Sequence, residues 1–390
     1  MILFLFWASL ALIAYTYFLF PILVFLRGLI WNKPYTIVEN NQLPSVSLII
    51  AAYNEEKSIG EKLDNVLSLD YPRDQLEVII ASDGSTDGTD AIVRNYKEHN
   101  IKLLSLPRLG KASALNAAVA ASSGEILVFS DANSIYSTDA IRALVRPFAN
   151  PDVGGVAGNQ SYLKKNSGIV DNVGERSYWD FDRIMKKFQS RAGNVISATG
   201  AIYAIRRSLF QMVPEGVTDD FVTSTNVIEQ GYRLVFAPDA TAYEPVAKTS
   251  GTEFGRKVRV ITRGLRAVLV VRRKLLNPLL YGFYAIQLLS HKVLRRLIVF
   301  PLLLILFVNP FLLQISLFYR LAMLGQAVFY TFGILGFLLD GTRFGRMKII
   351  NIPYYFCLVN AATLVATINI LRGQQIKQWE PQRNIEKEQR

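Results

Sequence analysis

Hydrophobic and polar positions divide the chain into three regimes. Residues 1–26 are uncharged and almost wholly apolar. As a helix they would reach ~39 Å, enough to cross a bilayer. No basic stretch precedes them and no small-residue cleavage site follows, so the pattern predicts a retained N-terminal transmembrane anchor rather than a signal peptide. Residues 43–245 then alternate short apolar runs with amphipathic ones. Runs at 45–52, 77–81, 101–105 and 126–129 are β-branched or aromatic and predict buried strands. Between them, residues 55–69 carry Ile59, Leu63, Val66 and Leu67 at helical spacing, and 87–98 and 111–121 also read as helices. Such alternation predicts an α/β domain with a mostly parallel sheet covered by helices.

The third regime begins with a basic amphipathic stretch. Phe254, Val258, Ile261, Leu265 and Val268 share one helical face, and Arg256, Arg259, Arg263 and Arg266 share the other. Residues 250–296 therefore predict interfacial helices with arginines facing lipid phosphate or an anionic substrate. Residues 297–371 hold three uncharged stretches, 297–319, 321–339 and 349–371, which predict about three spans before a polar tail at 372–390. With the N-terminus outside, Arg27, the cations of 272–296, and Arg343, Arg346 and Lys348 are all cytoplasmic, and so is the α/β domain. Four spans then place the basic tail outside, unless one span is re-entrant.

Composition narrows the chemistry. The 390 residues are 51% hydrophobic, with mean hydropathy +0.24, net charge +12 and pI ≈ 9.6. Beside apolar spans, this basic balance points to membrane lipid and phosphorylated substrates rather than nucleic acid. Cys357 is the single cysteine, and His99 and His291 are the only histidines. Cysteine-rich zinc sites and histidine clusters are thereby excluded, which leaves the chemistry to carboxylates. No G-x-G-x-x-G or Walker A pattern is present. Two strand-like runs end in acids instead, at Ser82-Asp83-Gly84-Ser85-Thr86-Asp87 and Ser130-Asp131-Ala132-Asn133. Ligands bind at that edge of open α/β sheets, so this pair suggests a nucleotide and a divalent metal.

The segments Ala51-Ala52-Tyr53-Asn54-Glu55-Glu56, Ser82 to Asp87, Gly110-Lys111-Ala112-Ser113-Ala114-Leu115-Asn116 and Asp131-Ala132-Asn133, in that order, resemble the family 2 glycosyltransferases. Thr199-Gly200-Ala201 and Thr218-Asp219-Asp220 extend the match, and the membrane arrangement resembles hyaluronan, cellulose and poly-N-acetylglucosamine synthases. The resemblance implies a GT-A (nucleotide-diphospho-sugar transferase) fold and an inverting, metal-dependent hexosyl transfer. The donor would be a nucleotide sugar, expected to be a UDP-sugar, and the acceptor a polysaccharide or glycolipid. Donor contacts would fall on Ala51, Tyr53, Glu55, Asp83, Lys111, Asp131 and Arg263, with Asp83 accepting from the uracil imide. Mg²⁺ or Mn²⁺ would sit on Asp131 and Asn133. Asp220 would be the general base, beside Asp219, and Thr199, Gly200 and Ala201 would line the acceptor pocket. Polymer export would call on partner subunits.

Three departures qualify this reading. Asn133 stands where a second acid is usual, and Asp219 where a glutamate is usual. The processive Gln-x-x-Arg-Trp motif is replaced by Arg259-Val260-Ile261-Thr262-Arg263-Gly264-Leu265, without tryptophan. Single transfer to a lipid-linked acceptor is therefore an alternative to polymerisation. A membrane scaffold or transporter is a third reading, opposed by the uncharged spans.

Overall fold

The computed structural model describes residues 1–35, 43–162, 173–244 and 250–374. The expected polar tail lies outside the described residues from 375 onward. The chain folds as two compact units. One comprises residues 27–35, 43–162 and 183–244, and the other residues 1–26, 173–182 and 250–374.

The first unit is built on an eight-stranded sheet. Its strands are β1 (Val46–Ala52), β2 (Leu76–Asp83), β3 (Ile101–Leu106), β4 (Ile126–Asp131), β5 (Ile135–Tyr136), β6 (Val153–Tyr162), β7 (Tyr203–Arg206) and β8 (Arg233–Glu244), in the order β3-β2-β1-β4-β7-β6-β8-β5. Every residue of β1 is buried, as expected of a central strand covered on both faces. The β3-β2-β1-β4 half is parallel throughout. The strand β7 then runs antiparallel to β4 and β6, while β6 and β8 are parallel and β5 is antiparallel to β8. The sheet is thus mixed, with parallel pairs in the majority among the described residues. Chain order turns back between β1 and β4, which opens a switch-point crevice at their C-terminal ends. The strands β2 and β4 run two residues beyond the apolar runs, so Asp83 and Asp131 are their last residues.

Helix Ile59–Leu67 follows β1 and buries Ile59, Leu63 and Val66 against the sheet, together with Lys62. Helix Lys111–Ala120 follows β3, and its small residues Ala112, Ala114 and Ala118 are buried. Helix Asp219–Glu229 starts just after Thr218 and buries nearly its whole length.

Among the described residues, three helices are long and apolar enough to cross a membrane: Ile2–Ile30, Leu317–Leu338 and Lys348–Leu371. The second expected span departs from the sequence reading. It is a pair, Phe283–Leu297 and Val299–Leu312, bent by 47°. Pro301 explains the break, because it has no N–H for the carbonyl of Leu297. Pro310 then starts a 3₁₀ turn at Asn309–Leu312. Arg320, expected between two spans, lies instead in the first turn of helix Leu317–Leu338 and donates to the Leu313 carbonyl at 2.9 Å.

The basic amphipathic stretch forms one helix, Ser250–Leu275. Its Phe254, Val258, Ile261 and Leu265 pack with Ala362 and Ala366 of helix Lys348–Leu371. The expected apolar face of this helix thus packs on a helix that is itself long and apolar enough to cross a membrane.

Candidate active site

The site is assembled where β1, β2 and β4 end. Ala51 is paired in register with Ala81 on one side and Asp131 on the other, so it sits in the floor of the crevice. Lys111 opens its helix behind Gly110, whose φ of +102° is a conformation that side chains resist. From there its Nζ reaches Asp131 Oδ1 at 2.7 Å and Asp219 Oδ2 at 3.1 Å. Burial alone would lower the Lys111 pKa, but Asp131 and Asp219 outweigh it and hold the ammonium above the usual lysine range. The cluster thus unites three expected residues from three separate segments.

Gly200 completes the wall beside Asp131. A Cβ at this position would lie 3.0 Å from Asp131 Oδ2, so glycine leaves that oxygen accessible. Thr199 and Thr218 each bury a hydroxyl oxygen with no hydrogen-bond partner among the described residues. Ala201 is buried in the core.

Asp219 and Asp220 open the helix Asp219–Glu229, whose N-terminal dipole favours carboxylates. Asp219 is buried and committed to Lys111, whereas Asp220 is half-buried and accepts the Phe221 N–H at 2.8 Å. The phenol of Tyr203 lies in the same field. Burial raises its pKa well above the usual value, and Asp219 and Asp220 add to the shift.

The other strand-end acid makes different contacts. Asp83 Oδ1 accepts the backbone N–H of Leu109 at 2.9 Å and of Gly110 at 2.8 Å, and Oδ2 accepts from the Arg108 guanidinium. Arg108 also stacks over the Tyr53 ring, 3.3 Å from its centroid. Asp83 is 1% exposed and its carboxylate is held by this loop. Asp87, not Asp83, forms the local turn and accepts from the Thr89 N–H at 3.0 Å. Glu55, expected among the donor contacts, is buried and accepts from the Ser58 hydroxyl. Arg263 is nearly buried in helix Ser250–Leu275 of the second unit.

Asp131 and Asn133 offer hard oxygen donors of the kind Mg²⁺ and Mn²⁺ take. They fit such an ion: the Asp131 side chain is 30% exposed, and the Gly200 cradle leaves its Oδ2 clear. No group of three or more acids, histidines or cysteines able to hold a metal occurs among the described residues, so ligand oxygens would have to complete the shell. Asp139 precedes the helix Ala140–Val145 on the surface and takes no part.

Sequence reasoning missed Arg108, Lys62 and Glu244. The signal for Lys62 was its place among Ile59, Leu63 and Val66, where the buried face of a helix normally carries an apolar residue.

Comparison with known proteins agrees with this construction. Residues 47–213 match the family model described as Glycosyl transferase family 2. The chain is 30% identical over 228 residues to the poly-beta-1,6-N-acetyl-D-glucosamine synthase of Staphylococcus epidermidis, covering 57% of this chain and 55% of that protein. It is 29% identical over 226 residues to the corresponding synthase of Staphylococcus aureus, with 54% of that protein covered. The chain therefore spans about half the length of the curated relatives it matches. Among solved structures, the mannosyltransferase PcManGT from Pyrobaculum calidifontis, in complex with GDP-Man and Mn²⁺, superposes with a TM-score of 0.72 at 25% identity. That likeness covers 95% of this chain and 100% of the other. The sheet unit thus has the fold of the GT-A glycosyltransferases. It carries a family 2 glycosyl transferase domain, accompanied by apolar helices of membrane-spanning character.

Proposed function

We propose that the protein transfers a single hexosyl unit at a time, with inversion, from a nucleoside-diphosphate sugar to an acceptor hydroxyl at the membrane. The observation that carries this reading is Lys111 held between Asp131 and Asp219 at the C-terminal sheet edge, with Asp220 beside them. An acceptor hydroxyl attacks the anomeric carbon from the face opposite the diphosphate. Asp220 takes its proton, because Asp219 is committed to the Lys111 ammonium. The bond from the anomeric carbon to the diphosphate oxygen breaks, and the nucleoside diphosphate leaves with the electron pair. Lys111 pairs with its oxygens. Bound on Asp131 and Asn133, Mg²⁺ or Mn²⁺ would neutralise charge on the leaving diphosphate.

Base recognition falls to Tyr53, Arg108 and Asp83 as a group. Uracil and guanine both present a ring N–H to an acceptor, so Asp83 does not by itself choose between UDP and GDP donors. Homology to a poly-N-acetylglucosamine synthase supports a UDP-sugar and a polysaccharide acceptor. The end-to-end likeness to a mannosyltransferase in complex with GDP-Man supports a GDP-sugar. We place the sheet unit in the cytoplasm and the acceptor, a glycan or glycolipid, at the bilayer.

The test is a panel of labelled nucleotide sugars, including UDP-N-acetylglucosamine and GDP-mannose, incubated with membranes holding wild type, Asp220→Asn or Asp219→Asn. One donor should be consumed by wild type. Asp220→Asn should bind it normally yet transfer roughly 10²–10⁴-fold more slowly. Undiminished transfer by Asp220→Asn would remove it as the base, and no transfer from any donor would remove the reading.

A further inference from the structure

Lys62 is fully buried in the sheet unit, on the face of helix Ile59–Leu67 that packs against the sheet. A buried ammonium is expensive unless its surroundings are built for it. Here they are. Its Nζ donates to the Ser134 carbonyl at 2.5 Å and lies 3.8 Å above the Tyr136 ring centroid. One turn further along the same helix, Asn65 donates to the Tyr136 carbonyl at 2.9 Å and accepts the Tyr136 N–H at 2.8 Å. The segment so gripped is the one that follows Asp131. The Ser134 N–H donates to the Asp131 carbonyl at 3.3 Å, and its hydroxyl donates to Glu244 at 2.9 Å. The Tyr136 hydroxyl reaches back to the Phe129 carbonyl on β4. Asn133 therefore sits in a turn fixed at both ends, and Lys62 and Asn65 are the clamp from below.

We propose that Lys62, with Asn65, is a positioning residue that holds the Asp131–Ser134 turn so that Asn133 can serve beside Asp131 as an oxygen donor to the divalent ion. The inference rests on the transferase reading above. The clamp matters here because Asn133 supplies no charge. A neutral amide ligand depends on its placement more than a carboxylate would, and supporting residues around metal ligands commonly carry 10–100-fold in affinity.

Two effects of removing Lys62 oppose each other. Loss of a nearby positive charge favours a bound cation, whereas release of the turn disfavours it. The positioning role requires the second to win. The experiment measures Mn²⁺ affinity by electron paramagnetic resonance of free Mn²⁺, on the whole chain in detergent with UDP or GDP present in parallel samples. Nucleotide affinity in EDTA is measured alongside. Lys62→Met should weaken Mn²⁺ binding about tenfold and leave metal-free nucleotide binding unchanged. Asn65→Ala, which creates no buried orphan charge, should weaken Mn²⁺ in the same direction and serves if Lys62→Met does not fold. Unchanged or tighter Mn²⁺ binding in the folded variants would overturn the positioning role while leaving the transferase reading intact. Absence of Mn²⁺ binding in wild type would overturn the metal reading and this inference with it.

Discussion

Gly200 shows how finely the site depends on single atoms. A methyl group there would lie 3.0 Å from Asp131 Oδ2, closer than most real Cβ contacts, and Asp131 is held on its other oxygen by Lys111. Gly200→Ala should therefore displace the carboxylate by a few tenths of an ångström. Turnover should fall by at least ~10-fold while thermal stability changes little, because small misplacements at a reacting centre are costly. Equal activity in a steady-state assay would show that Asp131 has room to give. Lys62 makes a separate prediction, about stability. Burial pushes its pKa from 10.5 down to about 7, with Asp131 and Glu244 opposing the shift. Between those values the unfolded chain binds more protons than the folded one, so this residue makes stability rise with pH from about 7 to about 10.5. Lys62→Met should lose that slope in unfolding measurements across the window; identical slopes would mean that Lys62 stays charged throughout. The strand-end acids were legible in the sequence because an apolar run followed by Asp and turn residues is a local signal. Arg108, which pairs with Asp83 from 25 positions away, and Lys62, which meets Ser134 from 72 positions away, carry no local signal. Only the topology that aligns β1, β2 and β4 brings them together.

At the scale of elements, small residues set how closely helices approach. In the pair Leu317–Leu338 and Lys348–Leu371, a Cβ on Gly336 would lie 2.5 Å from the Tyr354 Cβ and 3.1 Å from the Ile350 carbonyl, and one on Gly333 would meet Cys357 Sγ at 2.9 Å. Gly325, on the same helix, would meet nothing within 4 Å. Where lipid is as apolar as the side chains, close backbone approach is a main source of helix association. Gly336→Leu should destabilise the pair by about 1–3 kcal/mol through overpacking, whereas Gly325→Leu should be near neutral. Thermal unfolding in detergent distinguishes them, and equal effects would place the contact elsewhere. Elements with a strong period were readable in the sequence: the first four strands fall within two residues of their expected ends. The bent pair was not. Its residues are as apolar as those of a straight span, and hydropathy is blind to a proline that removes one hydrogen bond. Nor could composition reveal that the apolar face of Ser250–Leu275 meets Ala362 and Ala366, since lipid and packed helix demand the same side chains.

For the whole molecule, the bent pair decides both topology and product. If Phe283–Leu297 and Val299–Leu312 form a re-entrant hairpin, an outside N-terminus leaves Arg343, Arg346 and Lys348 outside and returns Arg372 and the tail to the cytoplasm. If the pair crosses, Arg320, Arg372 and the four further tail cations lie outside instead. Orientation follows the distribution of Lys and Arg near span ends, and the re-entrant form exports fewer of them. In a Cys357→Ser background, Thr342→Cys should therefore react with an impermeant maleimide on intact cells and Arg372→Cys should not. The opposite pattern would make the pair a full span. A re-entrant pair leaves three crossing helices, few for one protomer to enclose a polysaccharide channel. The basic helix also lacks the tryptophan that processive relatives place after their arginine, since Arg263 is followed by Gly264. Both features point to release of the acceptor after each transfer. With limiting purified protein, short products should appear first and lengthen gradually with time. Long chains at the earliest points, with little short material, would show that the enzyme holds its product, and would require either a channel shared between protomers or a partner subunit.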